Sequence, residues 1–115
     1  MRIVVLSDSH RNVGRLFAAV ERHLDNADLY IFLGDGEDDF DAVIDAYPHI
    51  KYERVCGNCD WYSNYPDKME IEFAGKRIFF SHGHPYNVKF GYENIIAEAK
   101  RRNADIRIIS TYIFH

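Results

Sequence analysis

Four short stretches of this chain carry side chains able to hold a metal ion: "SDSH" at 7–10, "LGDGEDD" at 33–39, "VCGNCD" at 55–60 and "FSHGH" at 80–84. They supply Asp8, His10, Asp35, Asn58, His82 and His84, a mixture of carboxylates, imidazoles and one amide. A mixed oxygen and nitrogen set suits Mn²⁺, Fe, Zn²⁺ or Mg²⁺ better than a thiolate site does. Asp8 and His10 stand two apart, so in an extended loop both side chains point the same way and reach one ion. The glycines before Asp35 and Asn58 allow the backbone to turn sharply beneath such a site. Cys56 and Cys59 raise a competing chemistry, because with His82 and His84 they would make a four-ligand zinc set. That alternative leaves Asp8, His10 and Asp35 without a role.

The elements needed to position these residues are legible in the apolar pattern. "RIVVL" (2–6) is a buried-strand candidate, and Val13, Leu16, Phe17, Val20 and Leu24 then recur at helical spacing behind Asn12, which is placed to cap the first turn. "DLYIFLG" (28–34) predicts a second strand, "DDFDAVIDAY" (38–47) an acid-fronted helix and "YERVCG" (52–57) a third strand. Strand and helix alternating in this way imply a parallel sheet with right-handed crossovers, hence an α/β class. From Met69 the rhythm changes: "MEIEF" and "KRIFFS" flank Ala74-Gly75 and predict a β-hairpin. A helix over 92–102 and a strand over 105–114 follow.

Laid on this frame, each metal-binding stretch falls just past the carboxyl end of a strand, where open α/β sheets bind ligands. Singly, each stretch has a plain explanation, since Gly-Asp and Gly-Asn are common turn sequences. Their matching position after successive strands is what points to a site. His23, on the first helix, and His49, after Pro48, fall off this pattern and are read as structural.

Composition narrows the field. A chain of 115 residues with 47% hydrophobic content suits one domain spanning 1–115. The net charge is −4 and the longest basic run is "KRR" at 100–102, so no nucleic-acid footprint is indicated. No apolar run approaches the roughly 18 residues of a membrane span. The N-terminus lacks the long apolar region of a secretory signal, which makes the cytoplasm the expected location. Two cysteines fit a reducing compartment better than a disulfide framework.

The four ordered stretches resemble the first four signature blocks of the calcineurin-like metallophosphoesterases, in particular their small bacterial and archaeal phosphodiesterase branch. The resemblance runs from Met1 to about Asp105. It implies a metallophosphoesterase-like β-sandwich flanked by helices, with two divalent metal ions at its edge. Mn²⁺ is the expected metal, with Zn²⁺, Fe, Ni²⁺ and Mg²⁺ as alternatives. It also implies hydrolysis of small phosphodiesters, or monoesters, by a hydroxide that the two ions activate. Carried over by motif, Asp8 and His10 hold the first ion, Asp35 bridges, and Asn58 with His82 hold the second. Asn12 and His84 stand near the substrate phosphate. Many relatives place a histidine where this chain has Cys59. Its absence makes Asp60 the candidate proton donor or orienting group and the cysteines bystanders.

The family closes its site with a fifth block, Gly-His-x-His, where this chain has "STYIFH" at 110–115. The expectation is therefore a C-terminally truncated domain, with each ion short of one imidazole. An unpaired edge near "IRIISTYIF" would favour a homo-oligomer through the last strand. The alternative is a catalytically impaired or non-catalytic interaction module on the same fold.

Overall fold

The computed structural model describes residues 2–7, 12–57, 60, 63–82, 102 and 104–109. Their element order is β1 (Ile3–Leu6), α1 (Val13–Arg22), β2 (Leu29–Phe32), α2 (Glu37–Ala46), β3 (Tyr52–Arg54), β4 (Lys68–Phe73), β5 (Lys76–Ser81) and β6 (Ile106–Ile109). β1, β2 and β3 form one parallel sheet in that order, and β4, β5 and β6 form a second.

β2 is the pivot of the molecule because both of its faces are covered. Leu29, Ile31 and Leu33 pack with Val55 and with Ile78 and Phe80 of the second sheet, so this face makes the core between the sheets. Tyr30 and Phe32 point the other way, onto Leu16 and Val20 of α1 and Phe40 and Val43 of α2. A strand buried on both sides reads as an uninterrupted apolar run, which is what "LYIF" is. The Phe32 and Phe40 rings stack with centroids 4.7 Å apart, and Tyr52 meets Phe40 edge-on at 5.6 Å. Tyr30 keeps its polar end satisfied by donating to the Val20 carbonyl at 2.8 Å, and burial pushes its phenol pKa up.

In the second sheet, β4 and β5 form the hairpin expected from the sequence. Ala74 and Gly75 both have positive φ, 54° and 77°, as a two-residue turn matched to the strand twist requires. β4 alternates, with Met69, Ile71 and Phe73 turned to the core. β6 joins β5 in parallel. The molecule is thus a β-sandwich with helices on the outer face of the parallel sheet.

The elements differ from the sequence expectation mainly at their ends. α1 stops at Arg22, with His23 as its C-cap, so Leu24 lies beyond the helix and is 38% exposed despite its helical spacing. β3 is shorter than the expected strand over 52–57, ending at Arg54, while Val55 continues the core contact beyond it. The expected helix over 92–102 lies outside the described residues except for Arg102, as does the strand beyond 109.

Candidate functional site

β2 leads into Leu33-Gly34-Asp35-Gly36, and α2 begins one residue later. Asp35 adopts φ 62°, the left-handed region that Asp tolerates better than most residues, and Gly34 has φ 103°. The neighbouring loop is that after β3. A Cβ on Gly34 would lie 2.2 Å from the Gly57 nitrogen, and one on Gly57 would lie 2.1 Å from Asp35 Oδ1. Neither place has room for a side chain, so both glycines are required for the loops to pack backbone against backbone.

His82 reaches this place from the other sheet. It is the first residue after β5, whose Ile78 and Phe80 pack on Ile31 and Leu33, and it is 2% exposed. Its Nδ1 lies 3.0 Å from the Leu33 carbonyl oxygen, and its Nε2 lies 3.1 Å from Asp35 Oδ2. A carbonyl can only accept, so Nδ1 carries the proton and donates. In the neutral ring Nε2 then presents a lone pair toward a carboxylate oxygen. Two facing lone pairs in a buried place call for a positive group between them, a proton or a metal cation.

Asp60 joins the two loops from below. Its Oδ2 accepts from the backbone N–H of Asp35 at 2.7 Å and of Gly57 at 2.8 Å. Its Oδ1 accepts from Gly36 at 3.0 Å and Glu37 at 3.1 Å. Gly36, the N-cap of α2, makes no side-chain cap, so Asp60 caps that helix from a distant part of the chain. Both oxygens of Asp60 thus accept from backbone N–H groups, an arrangement in keeping with the orienting role among the two expected for it.

Of the other predicted ligands, Asp8, His10 and Asn58 lie outside the described residues, as does His84, so the structure brings together Asp35 and His82 from the set. Among the described residues no group of three or more His, Cys, Asp or Glu side chains converges. Asn12 caps α1, its Oδ1 accepting from the Arg15 N–H at 3.3 Å. His23 and His49 lie elsewhere, at the end of α1 and in the loop before β3. His49 lines a cavity of about 400 Å³ together with Tyr30, Tyr47 and Lys51, remote from Asp35. Cys56 carries a free thiol whose pKa is pushed up, first by burial and then by Asp67 and Asp60. Both ring nitrogens of His82 face oxygen atoms, which does not fit a thiolate zinc set.

Sequence reasoning missed Arg54. It is 4% exposed and its guanidinium lies between the rings of Phe40 and Tyr65, 5.0 and 4.0 Å from their centroids. One nitrogen donates to Asp41 at 2.7 Å and another to the Glu37 carbonyl at 3.1 Å. Glu37 is thereby held at both ends, its N–H by Asp60 and its carbonyl by Arg54. The available signal was a charged residue inside the third strand candidate.

A β-sandwich flanked by helices, with a buried carboxylate–imidazole pair at the strand ends, defines the class of protein. The chain belongs to the calcineurin-like phosphoesterase superfamily, whose domain model matches residues 1–109. It is 29% identical over 107 residues to Probable metallophosphoesterase YsnB of Bacillus subtilis, covering 92% of this chain and 60% of that protein. Its fold is similar to that of a predicted phosphoesterase from Streptococcus pneumoniae, with TM-score 0.75 and 24% identity over 93% of this chain and 59% of that one. A structure described as a novel archaeal phosphodiesterase matches with TM-score 0.68 and 21% identity, covering 95% and 72%. The chain thus spans about 60% of the length of the Bacillus relative and the pneumococcal protein. No helix among the described residues is long and apolar enough to cross a membrane.

Proposed function

We propose that this chain is a metal-dependent phosphoesterase acting on small phosphodiesters, with monoesters as a secondary class. The observation that carries the reading is the buried His82–Asp35 pair. With Nδ1 occupied by the Leu33 carbonyl, Nε2 and Oδ2 are left 3.1 Å apart. That donor set fits a divalent cation: one neutral imidazole nitrogen and one carboxylate oxygen, the imidazole fixed in its tautomer by a backbone acceptor. Asp8, His10 and Asn58 are assigned as the further ligands on their motif positions, with Asp35 as the bridge between two ions. Mn²⁺ is the preferred metal.

Bound divalent ions would supply a water acidified toward neutral pH and positive charge for the phosphoryl oxygens. The residues of the chain do the rest. Asp35 contributes negative charge and two oxygens at the loop where β2 meets α2. His82 contributes a neutral donor that does not diminish the positive charge of the site. Asn12 and His84 are assigned to the substrate phosphate, a role that for Asn12 is compatible with its place at the N-terminus of α1, where N–H dipoles favour an anion. Membership of the superfamily supports the reaction class, and the fold shared with an archaeal phosphodiesterase supports the diester preference.

The test is hydrolysis of bis(p-nitrophenyl) phosphate by purified protein with Mn²⁺ and with chelator, alongside Asp35→Asn. Turnover that needs Mn²⁺ and disappears in the variant is expected. Equal turnover in chelator, or in the variant, would refute the reading.

A further inference from the structure

We infer that Asp60 is the positioning residue of this site, a single carboxylate that sets the ligand loops after β2 and β3 relative to each other and so aims Asp35 at His82. Its two oxygens divide the work. Oδ2 joins the loops by accepting from Asp35 and Gly57, at 2.7 and 2.8 Å. Oδ1 holds the start of α2 through Gly36 and Glu37, at 3.0 and 3.1 Å. The clamp is closed on its own side as well, because the Asp60 N–H donates back to the Gly57 carbonyl at 3.2 Å. Gly57 and Asp60 are therefore tied to each other by two hydrogen bonds, one in each direction. This gives a physical reason for the spacing in "GNCD": a carboxylate three residues after the glycine can fold back onto that glycine's own N–H.

The bonds matter because the place they fix is intolerant of slack. Gly34 and Gly57 leave no room for even a Cβ between the loops, and Asp35 is held at positive φ. Residues in that region persist where the surroundings over-determine them. A bond to the Asp35 N–H acts directly on the residue whose carboxylate meets His82. The bond to Gly57 acts on the residue before Asn58. Hydrogen bonds that backbone N–H groups donate to a carboxylate are stronger than neutral ones, so the clamp is well suited to hold Asp35 at its positive φ.

The inference rests on the metal reading above only for its consequence on affinity, and the test separates the two. Three proteins are compared: wild type, Asp60→Asn, and Asp41→Asn, which loosens the tie between Arg54 and the same helix without touching either loop. Each is measured without metal, by backbone amide exchange and thermal melting, and then by calorimetric titration with Mn²⁺. In Asp60→Asn an amide nitrogen, which cannot accept, replaces one carboxylate oxygen, so the variant loses half of the clamp. Its Mn²⁺ affinity should fall by about tenfold or more, the range for a residue that orients a metal ligand. Exchange at Asp35 and Gly57 should quicken in the metal-free variant. Asp41→Asn should melt earlier but bind Mn²⁺ and protect those two amides as wild type does. Equal affinity in Asp60→Asn, or an equal loss in Asp41→Asn, would overturn the inference. If Asp60→Asn does not fold, wild-type exchange still decides: unprotected Asp35 and Gly57 amides would refute the clamp, and strong protection would uphold it. Wild type that binds no Mn²⁺ yet protects these amides would refute the metal reading and uphold the clamp.

Discussion

The Nε2 of His82 and the Oδ2 of Asp35 lie 3.1 Å apart although they come from different sheets, one following β5 and the other following β2. Contact between them is a consequence of the sandwich core, because Ile78 and Phe80 must sit on Ile31 and Leu33 before the loops beyond can meet. Metal binding should therefore stabilise the packing of one sheet on the other. Mn²⁺ at a hundredfold excess over its Kd should raise the unfolding free energy by about 2.7 kcal/mol. In Asp35→Asn or His82→Ala that increment should vanish, as read from urea unfolding with and without the ion. An increment retained in either variant would place the ion elsewhere.

The glycines give a graded series. Gly57→Ala would put a methyl group 2.1 Å from Asp35 Oδ1, and Gly34→Ala one 2.2 Å from the Gly57 nitrogen. Each should destabilise by about 1–3 kcal/mol or more, the cost of forced overpacking, and should abolish metal binding. Gly75→Ala meets no atom within 4 Å, though its φ is +77°. It should lose about 1 kcal/mol from backbone strain and bind metal normally. Thermal melts of the three variants check the order.

Cys56 should behave as a protected thiol. Its raised pKa, due first to burial and next to Asp67 and Asp60, keeps the unreactive protonated form dominant at neutral pH. In a Cys59→Ser background, iodoacetamide should label it more slowly than free cysteine. Because the folded pKa lies above the ordinary 9.0, the stability this group contributes is fully present below that value and is lost as pH rises through the folded one. Replacing both cysteines by serine should leave Mn²⁺ affinity nearly unchanged. A loss as large as that of Asp35→Ala would count against an oxygen and nitrogen ligand set.

Phe40 anchors the helix layer, stacked on Phe32 at 4.7 Å and lying beneath Arg54 at 5.0 Å. Phe40→Ala should cost about 3–5 kcal/mol. Val5, on β1 and 41% exposed, should tolerate the same truncation with a change of about 0.5 kcal/mol. Urea midpoints at constant slope provide the comparison.

Much of this fold was legible because its signals are side-chain signals. The unbroken "LYIF" marks a strand buried on both faces, the alternation in "KMEIEF" marks one buried on a single face, and Ala74-Gly75 marks the turn beyond it. Asp35 and His82 were legible as candidate ligands because each follows a strand. The work of Asp60 was not, because its four partners are backbone N–H groups, three of them 23 to 25 positions earlier in the chain. Every residue except proline carries that donor, so no residue type announces the partnership. The same holds for the Leu33 carbonyl that selects the His82 tautomer. Leu24 misled for the opposite reason: its spacing continues the helical stripe, but the chain turns at His23 before the stripe can be used. Arg54 was not singled out because its compensation comes from two aromatic rings and a helix that follow no local pattern.

Anomalous scattering from crystals soaked in Zn²⁺ addresses the metal centre at the level of atoms. A peak about 2.0–2.2 Å from both His82 Nε2 and Asp35 Oδ2 is the predicted result. A peak about 2.3 Å from the sulfurs of Cys56 and Cys59, with none between His82 and Asp35, would contradict it.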